Sequence, residues 1–309
     1  MKTHRLIGWT ALAGGAALGY ALAEAHWRVL RLIEVPVLPP RAAPLRVLQV
    51  SDPHFTANQR RKVDWVRRLA DLEPDLVVAT GDNFSSSDSM ETALEAFEPL
   101  LGLPGAFVLG SHDFYSAQWR SPLAYLLTGR RGRDVARQEP ERTPDLPTAA
   151  FRGVLARAGW LDLDNARGAL RLGSERLATD LVGLADPHVG WEEVPPPASR
   201  AAADLVLGLV HAPYVDAVQS LVDDGARLVL AGHTHGGQVA LPGLGAIVSN
   251  TDLPRHQTRG LSRWPGGDPA APSYLHVSAG LGASPFAPVR FAARPEATLL
   301  TLTAGESDR

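Results

Sequence analysis

Acidic and histidine side chains follow the short apolar runs of this chain. Asp52 and His54 come directly after the run 45–50, and Asp82 follows the run 75–80. The same placement recurs along the chain. The residues concerned are Asp52, His54, Asp82, His112, Asp113, His211, His233 and His235. Imidazole and carboxylate together suit Mn²⁺, Fe or Zn²⁺ better than Ca²⁺, so this pattern indicates a metal site.

The apolar runs are the elements that must position these side chains. Three runs, Leu45–Val50, Asp75–Thr80 and Ala106–Leu109, have the length and composition of buried strands. Between these strands the apolar residues have helical spacing, at Val63–Leu72 and at Glu91–Leu101. Alternating strands and helices predict an α/β sheet, in which ligands collect at the carboxyl ends of the strands. Further strands are predicted at Leu205–Val210, Leu228–Ala231 and Tyr274–Ser278.

The individual motifs differ in specificity. A single Asp after a strand is often a turn former or helix cap, and a single His is often structural. The pair His233 and His235 is more informative because Gly232, Gly236 and Gly237 flank it. Glycine permits a tight turn, and alternate residues of an extended backbone can direct two imidazoles at neighbouring ions. The prediction of a metal site therefore depends on the occurrence of all the motifs together, in this order.

Composition excludes several classes of protein. The chain has 309 residues, of which 45% are hydrophobic and 20% charged, as in a globular protein with a substantial core. The net charge of −3 gives no reason to expect a nucleic-acid partner. Because there is no cysteine, disulfides and thiolate metal ligands are absent. Any metal must therefore be held by nitrogen and oxygen ligands.

The N-terminus has the properties of a membrane segment. The apolar run Leu6–Ala23 follows Lys2 and Arg5 and has about the minimum length for crossing a hydrocarbon core of roughly 30 Å. The alternative is a secretory signal peptide, since Ala21–Ala23 has the small-x-small form of a cleavage site. We therefore expect a membrane-associated protein with a single N-terminal anchor, or an exported one after cleavage.

Three segments are predicted from this organisation. Residues 1–25 form the anchor or signal segment, and residues 26–44, with four prolines after position 35, form a connector. Residues 45–305 form the domain that carries the candidate metal site. We expect a monomer, since nothing in the pattern points to a partner subunit.

The order of the motifs resembles the calcineurin-like metallophosphoesterase superfamily. The matching motifs are Asp52-Pro53-His54, Gly81-Asp82-Asn83, Gly110-Ser111-His112-Asp113, His211 and Gly232-His233-Thr234-His235. The segments 232–250 and 278–302 resemble more narrowly the bacterial membrane-associated branch. That branch includes proteins assigned as pyrophosphatases of UDP-2,3-diacylglucosamine.

The resemblance implies an architecture and a ligand set. The expected fold is a four-layer αββα sandwich, with Asp82 bridging two divalent metal ions. The family's asparagine ligand falls on Ser111, which is either a weaker ligand or only part of the turn. Asp52, His54, Asp82 and His235 would hold the first ion; Asp82, His211 and His233, with Ser111, would hold the second.

The resemblance also implies a mechanism. Two cations about 3.5–4 Å apart lower the pKa of a shared water, which then attacks phosphorus in line with the leaving oxygen. His112 would stabilise the leaving group or protonate it, and Asp113 would orient His112. No serine or cysteine has a comparable constellation, so attack by water is preferred over a covalent intermediate.

The substrate is less well defined by the sequence. A basic insertion, Trp119–Arg142, is either a solvated surface or a cap that contacts an anionic head group or diphosphate. Asp186-Pro187-His188 follows an apolar run and would approach the site if that run is a strand. A membrane tether favours a lipid-linked or nucleotide-diphosphate-lipid substrate. The alternatives are a cyclic-nucleotide or other nucleotide phosphodiesterase and a catalytically weak metal-binding membrane module.

Overall fold

The computed structural model describes residues 14–118, 143–197, 203–241, 245–265, 272–283 and 286–305. The basic insertion predicted at 119–142 lies outside these ranges, as do the first 13 residues of the predicted membrane segment. Within the described chain, strands and helices alternate along most of the sequence, as an α/β protein requires.

Two mixed six-stranded sheets form the centre of the molecule. The first has the order β1-β14-β2-β3-β4-β5, and the second has the order β12-β13-β9-β8-β7-β6. The first sheet contains β1 (Val29–Leu38), β2 (Leu45–Val50), β3 (Leu76–Ala79), β4 (Gly105–Phe107), β5 (Leu161–Asp162) and β14 (Glu296–Ala304). The second contains β6 (Ala166–Leu172), β7 (Leu177–Leu184), β8 (Leu205–Val210), β9 (Leu228–Ala231), β12 (Gly260–Arg263) and β13 (Tyr274–Val277). The predicted α/β class with two central sheets is confirmed.

Helices and short turns of 3₁₀-helix connect these strands. The α-helices are α1 (residues 14–24), α2 (Arg60–Arg67), α3 (Met90–Phe97), α4 (Thr148–Arg157) and α5 (Val215–Asp223). The 3₁₀ turns are Arg68–Leu72, Ser87–Ser89, Leu100–Gly102, Ser111–Asp113, His235–Gly237 and Arg255–Gln257. A small two-stranded sheet joins β10 (Ala240–Leu241) to β11 (Gly245–Ala246).

Three apolar clusters hold these elements together. The residues of β2 show why its sequence is almost continuously apolar: Leu48 and Val50 pack with α2–α4 on one face, while Leu45 and Val47 pack against the second sheet on the other. The cluster between the sheets joins both sets of strands, and a third cluster packs α5 on the outer face of the second sheet. Strands buried on both faces lose the alternation of polar and apolar residues, as is typical of parallel sheets.

The segment that the prolines predicted to be a connector instead contains β1. This strand pairs in parallel with β14 over nearly its whole length, from Val29 opposite Glu296 onwards. Proline lacks a backbone N–H and is tolerated at the edge of a sheet. Because β1 is the edge strand, Pro36 fits there, and part of the predicted connector belongs to the first sheet.

The predicted membrane segment is helical where it is described, over residues 14–24. Among the described helices, none is long and apolar enough to cross a membrane, so the predicted transmembrane helix finds no support. The end of α1 packs on the segment that precedes β14, since Glu24 is buried and accepts hydrogen bonds from the backbone N–H groups of Ala292 and Ala293.

Candidate metal centre

The site forms where strands of both sheets end. In the first sheet β2, β3 and β4 are parallel, so Asp52, Asp82 and His112 emerge at one edge. In the second sheet β8 and β9 are parallel and deliver His211 and His233. The loop after β2 pairs with the loop after β3, because the N–H of Asp52 donates to the carbonyl of Gly81 at 2.9 Å. The two sheets thus bring together side chains from across the whole chain.

Many of these residues have a backbone conformation that is rare for residues other than glycine. Five of them have positive φ: Asp52 at 47°, His54 at 42°, Asp82 at 55°, His233 at 68° and His235 at 51°. Side chains other than glycine rarely adopt this left-handed region, and such residues cluster at functional sites. The strain persists only because the surrounding structure determines it, which argues that the positions of these groups are selected for function.

Two glycines are required by close packing around the site. A Cβ at Gly110 would lie 2.3 Å from Oδ1 of Asp82, and a Cβ at Gly232 would lie 2.4 Å from Oδ2 of Asp52. Only a residue without a side chain allows the carboxylates to approach the backbone this closely.

The centre of the cluster is the carboxylate of Asp82. Its Oδ2 lies 3.4 Å from Nε2 of His54 and 3.4 Å from Nε2 of His211. Nε2 of His54 lies only 3.2 Å from Nε2 of His235, which is itself 3.8 Å from Oδ1 of Asp52. In the part of the chain that the structure describes, two groups have ligand atoms within 4.8 Å of one another, and both contain Asp52. They are Asp52, His54 and His235, and Asp52, Asp82 and His211.

Hydrogen bonds on the outer side of two rings fix which nitrogen is available. Nδ1 of His211 donates to the carbonyl of Thr80 at 2.7 Å, and Nε2 of His233 lies 3.2 Å from the carbonyl of Asn250. An N–H on one ring nitrogen leaves a lone pair on the other. Nε2 of His211 is buried with no hydrogen-bond partner among the described residues. This orphaned acceptor and the convergent nitrogen and oxygen donors fit a divalent metal ion.

The electrostatics of the cluster also favour cation binding. Burial alone would raise the pKa of Asp82, but His211, His112 and His54 hold it well below its usual range. Burial lowers the pKa of His54 to about 3, and it also lowers the pKa values of His233 and His235. Burial would lower the pKa of His211, but Asp82 and Asp186 hold it well above its usual range. The cluster without metal therefore pairs an ionised Asp82 with a cationic His211, beside the neutral imidazoles of His54, His233 and His235. A metal ion bound to His211 would replace the proton on its ring.

The structure gives Asp113 a different environment from the predicted one. Its Oδ2 accepts the N–H groups of Asp82 and Gly110 at 2.8 and 3.0 Å, and its Oδ1 accepts the N–H of Asn83 at 2.7 Å. Nδ1 of His112 is buried and has no hydrogen-bond partner in the described chain. Asp113 thus holds the backbone around Asp82 and does not orient His112. The ring of His112 lies beside His54, with 5.1 Å between centroids.

Ser111 lies in a turn whose backbone is held by carboxylates. Three successive N–H groups, at 110, 111 and 112, donate to Asp113, Asp186 and Asp82, respectively. The bond from Ser111 to Oδ2 of Asp186 is 2.9 Å. Asp186 is thereby brought to the site, as its position after a predicted strand suggested. His188 also lies there, since its ring centroid is 4.5 Å from that of His233.

Sequence reasoning missed a buried polar network behind the site. His276 is fully buried in β13, and its Nδ1 lies 2.7 Å from Oε1 of Gln49. Nε2 of Gln49 in turn donates to Oγ1 of Thr80 at 3.2 Å. The carbonyl of Thr80 accepts the hydrogen bond of His211. The only signal in the sequence is a polar residue inside each of two apolar strands.

Lys62 was missed as well. It is buried in α2, and its Nζ donates to the carbonyl oxygens of Pro53 and His54 at 2.6 and 3.3 Å. The helix therefore fixes the loop that carries His54. A lysine within an otherwise helical pattern gives no indication of this role.

Comparison with known proteins agrees with the geometry. Residues 45–237, more than half of the chain, match the calcineurin-like phosphoesterase family. The chain belongs to this family, and it is a metal-dependent phosphoester hydrolase. The resemblance inferred from the motifs is confirmed.

Three bacterial relatives match most of the chain. YkuE of Bacillus subtilis (strain 168), an uncharacterized metallophosphoesterase, is 26% identical over 94% of this chain and 92% of its own. The phosphodiesterase YaeI of Escherichia coli (strain K12) is 24% identical over 94% of each chain. The UDP-2,3-diacylglucosamine pyrophosphatase LpxG of Chlamydia trachomatis serovar D is 27% identical over 83% of each chain.

Proposed function

We propose that this hydrolase uses two divalent ions to cleave a phosphate ester or pyrophosphate bond, on a lipid-linked or nucleotide-diphosphate-lipid substrate. The observation that carries the proposal is the position of Asp82, whose Oδ2 is equidistant from the Nε2 atoms of His54 and His211. One carboxylate oxygen between two imidazoles from different sheets is the arrangement that a bridging ligand needs.

The ligand assignment is the one that the family resemblance implies. Asp52, His54, Asp82 and His235 would hold the first ion, and Asp82, His211 and His233 would hold the second. The converging groups Asp52–His54–His235 and Asp52–Asp82–His211 support this assignment for every residue except His233. Mn²⁺, Fe and Zn²⁺ suit this mixture of nitrogen and oxygen donors. When bound, such ions supply Lewis acidity and generate a nucleophile at neutral pH.

The protein's own groups do the remaining work. The ionised carboxylates and the fixed imidazoles hold their geometry before the substrate arrives, because they are buried and bonded to the backbone. His112 lies next to His54 at the rim of the cluster, and its role is to stabilise the leaving oxygen or protonate it. Direct attack on phosphorus needs no covalent intermediate on a side chain.

The lipid-linked substrate is supported by two observations. The relative LpxG is named for a pyrophosphatase reaction on UDP-2,3-diacylglucosamine. In this chain, Leu18, Leu22, Trp27 and Leu32 are exposed along α1 and the start of β1. These apolar side chains continue the N-terminal apolar run and support the proposal of membrane association, which would bring the enzyme close to lipid substrates. We propose that it acts there as a monomer.

The test is hydrolysis by the full-length protein in detergent, metal-stripped and with Mn²⁺ added. Bis(p-nitrophenyl) phosphate is the first substrate. A lipid linked to UDP and a cyclic nucleotide follow at equal concentrations. Asp82→Asn is the matched control, because it keeps the shape of the side chain and removes its charge. Metal-dependent turnover that is lost in Asp82→Asn, with the highest kcat/KM for the lipid diphosphate, is the expected result.

Other outcomes separate the alternatives. A higher kcat/KM for the cyclic nucleotide would identify a nucleotide phosphodiesterase on the same metal centre. Two bound ions per chain without hydrolysis of any of the three substrates would identify a metal-binding membrane module and contradict the proposal.

A further inference from the structure

The end of α1 is hydrogen-bonded to residues 290–293, near the C-terminal end of the sequence. The N–H of Arg290 donates to the carbonyl of Ala21 at 3.0 Å, and the carboxylate of Glu24 accepts the N–H groups of Ala292 and Ala293 at 3.1 and 2.8 Å. The rings of Tyr20 and Phe291 meet edge to face, with 5.5 Å between centroids. The N-terminal segment therefore fixes the backbone of residues 290–293.

The opposite side of the same segment contacts the metal-site loop. The N–H of Phe291 donates to the carbonyl of Gln238 at 3.0 Å, and its carbonyl accepts the N–H of Ala240 at 2.8 Å. The 3₁₀ turn His235–Gly237 directly precedes these residues. Residues 290–293 thus lie between α1 and the loop that carries a metal ligand.

Arg290 links the segment 290–293 directly to His235, the proposed metal ligand. Its guanidinium is fully buried, and Nη1 donates to the carbonyl of His235 at 3.2 Å. Nη2 packs against the edge of the same ring, 3.1 Å from Nδ1, so Arg290 contacts both the backbone and the ring of His235. Further bonds to the carbonyls of Ala279, Gly280, Gly282 and Ala293 hold the guanidinium in a single orientation.

Buried carboxylates compensate the charge of this guanidinium. Burial lowers the pKa of Arg290 to about 10, against the opposing effects of Asp52, Glu296 and Glu24, so the group stays cationic at neutral pH. Two of these carboxylates connect separate parts of the protein: Asp52 belongs to the metal cluster, and Glu24 belongs to the N-terminal segment. A buried charge that loses a partner is strongly destabilised.

We propose that Glu24 and Arg290 are positioning residues for His235, so that residues 20–24 form part of the support of the first metal site and are retained in the working enzyme. The segment is then more than an attachment to the membrane. Cleavage after Ala23 would remove Tyr20 and Ala21 and free one side of residues 290–293. This inference rests on the proposed metal centre and adds to it the role of the N-terminal segment.

The test measures metal affinity in the full-length protein, because activity alone would not separate the sites. Metal-stripped Glu24→Gln is titrated with Mn²⁺ in a calorimeter beside the wild type. Glu34→Gln is the matched control, since it makes the same chemical change at an exposed position of the adjacent strand. A His211→Asn variant, which removes a ligand of the second ion only, identifies which binding event belongs to the first site.

We expect Glu24→Gln to weaken binding of the first ion by roughly 10-fold, within the range for loss of outer support of a metal ligand. Binding of the second ion should change less than about twofold in the same variant, and Glu34→Gln should bind both ions as the wild type does. Arg290→Lys keeps the charge but loses the fork of donors, and it should weaken the same event.

Two results would overturn the inference. One is a Glu24→Gln protein that binds both ions with wild-type affinity. The other is an equal weakening of both events, which would indicate general loosening of the fold. A wild-type protein that binds no ion would instead contradict the proposed metal centre, and the two failures are therefore distinguishable.

Discussion

Asp113 accepts the backbone N–H of Asp82 at 2.8 Å, and through this bond one carboxylate fixes the position of another. The same Oδ2 accepts the N–H of Gly110, so Asp113 joins the loops that follow β3 and β4. A buried acceptor with several donors cannot be replaced by an amide without leaving a donor opposed to another donor. The finding makes Asp113 a support of the proposed bridging ligand.

Replacing Asp113 with Asn should therefore act on metal binding. We expect Asp113→Asn to weaken the binding of Mn²⁺ by about 10- to 100-fold, as the loss of outer support typically does. With saturating Mn²⁺, the dependence of kcat on leaving-group pKa should remain as in the wild type. The measurement is a series of aryl phosphodiesters with different leaving groups. A steeper dependence would restore the interpretation that Asp113 acts through His112.

Replacing His112 should lower the rate of hydrolysis and leave metal binding nearly unchanged, which is the reverse of the result expected for Asp113. His112→Asn should leave Mn²⁺ affinity within about twofold, because Nδ1 of its ring makes no hydrogen bond with the described residues and the ring only packs beside His54. Loss of an acid or charge stabiliser at the leaving oxygen should lower kcat by about 10²- to 10⁴-fold for poor leaving groups and less for p-nitrophenolate. The same aryl series measures this, with a metal titration on the same protein. An equal loss for good and poor leaving groups would contradict the role.

The strands that position the site could be predicted because their burial is visible locally. The predicted and observed bounds of β2, β8 and β9 coincide, since a strand buried on both faces has a continuous apolar sequence. Asp52, His211 and His233 follow these strands, so their convergence could be anticipated from the rule on strand ends.

The missed features depend on contacts between distant residues. The apolar residues of β1 are interrupted by Pro36, and its partner β14 begins at Glu296. His276 is understandable only beside Gln49, which is 227 positions away. No local pattern reports such pairs, and for the same reason the support of His235 by Arg290 could not be foreseen.

Ser111 can be tested by restoring an amide. Its N–H is held by Asp186, so the backbone of the turn should tolerate a change of side chain. Ser111→Asn places a stronger oxygen ligand at this position, and we expect the second ion to bind about 10-fold more tightly. Ser111→Ala is the matched control and should bind both ions as the wild type does. Titration of metal-stripped protein with Mn²⁺ measures both. A loss of the second ion in Ser111→Ala would show that the serine hydroxyl is a ligand.

The buried network behind the site predicts a pH dependence of stability. Burial lowers the pKa of His276 to about 4, whereas an unfolded histidine titrates near 6.5. Between these values the unfolded chain binds the proton and the folded chain does not, so stability falls as pH decreases from about 6.5 to about 4. The contribution of His276 over this window is at most about 3 kcal/mol.

The His276→Asn variant isolates this contribution. Its amide can donate to Gln49 in place of Nδ1 but does not titrate. Urea unfolding of the metal-free wild type and variant, measured from pH 7.5 to pH 4, gives the difference in unfolding free energy at each pH. The other buried histidines titrate in both proteins, so their effects cancel. We expect the wild type to lose stability faster than the variant as pH falls. Parallel curves would mean that His276 is protonated in the folded protein or does not contribute, and the proposed neutral state of the network would be wrong.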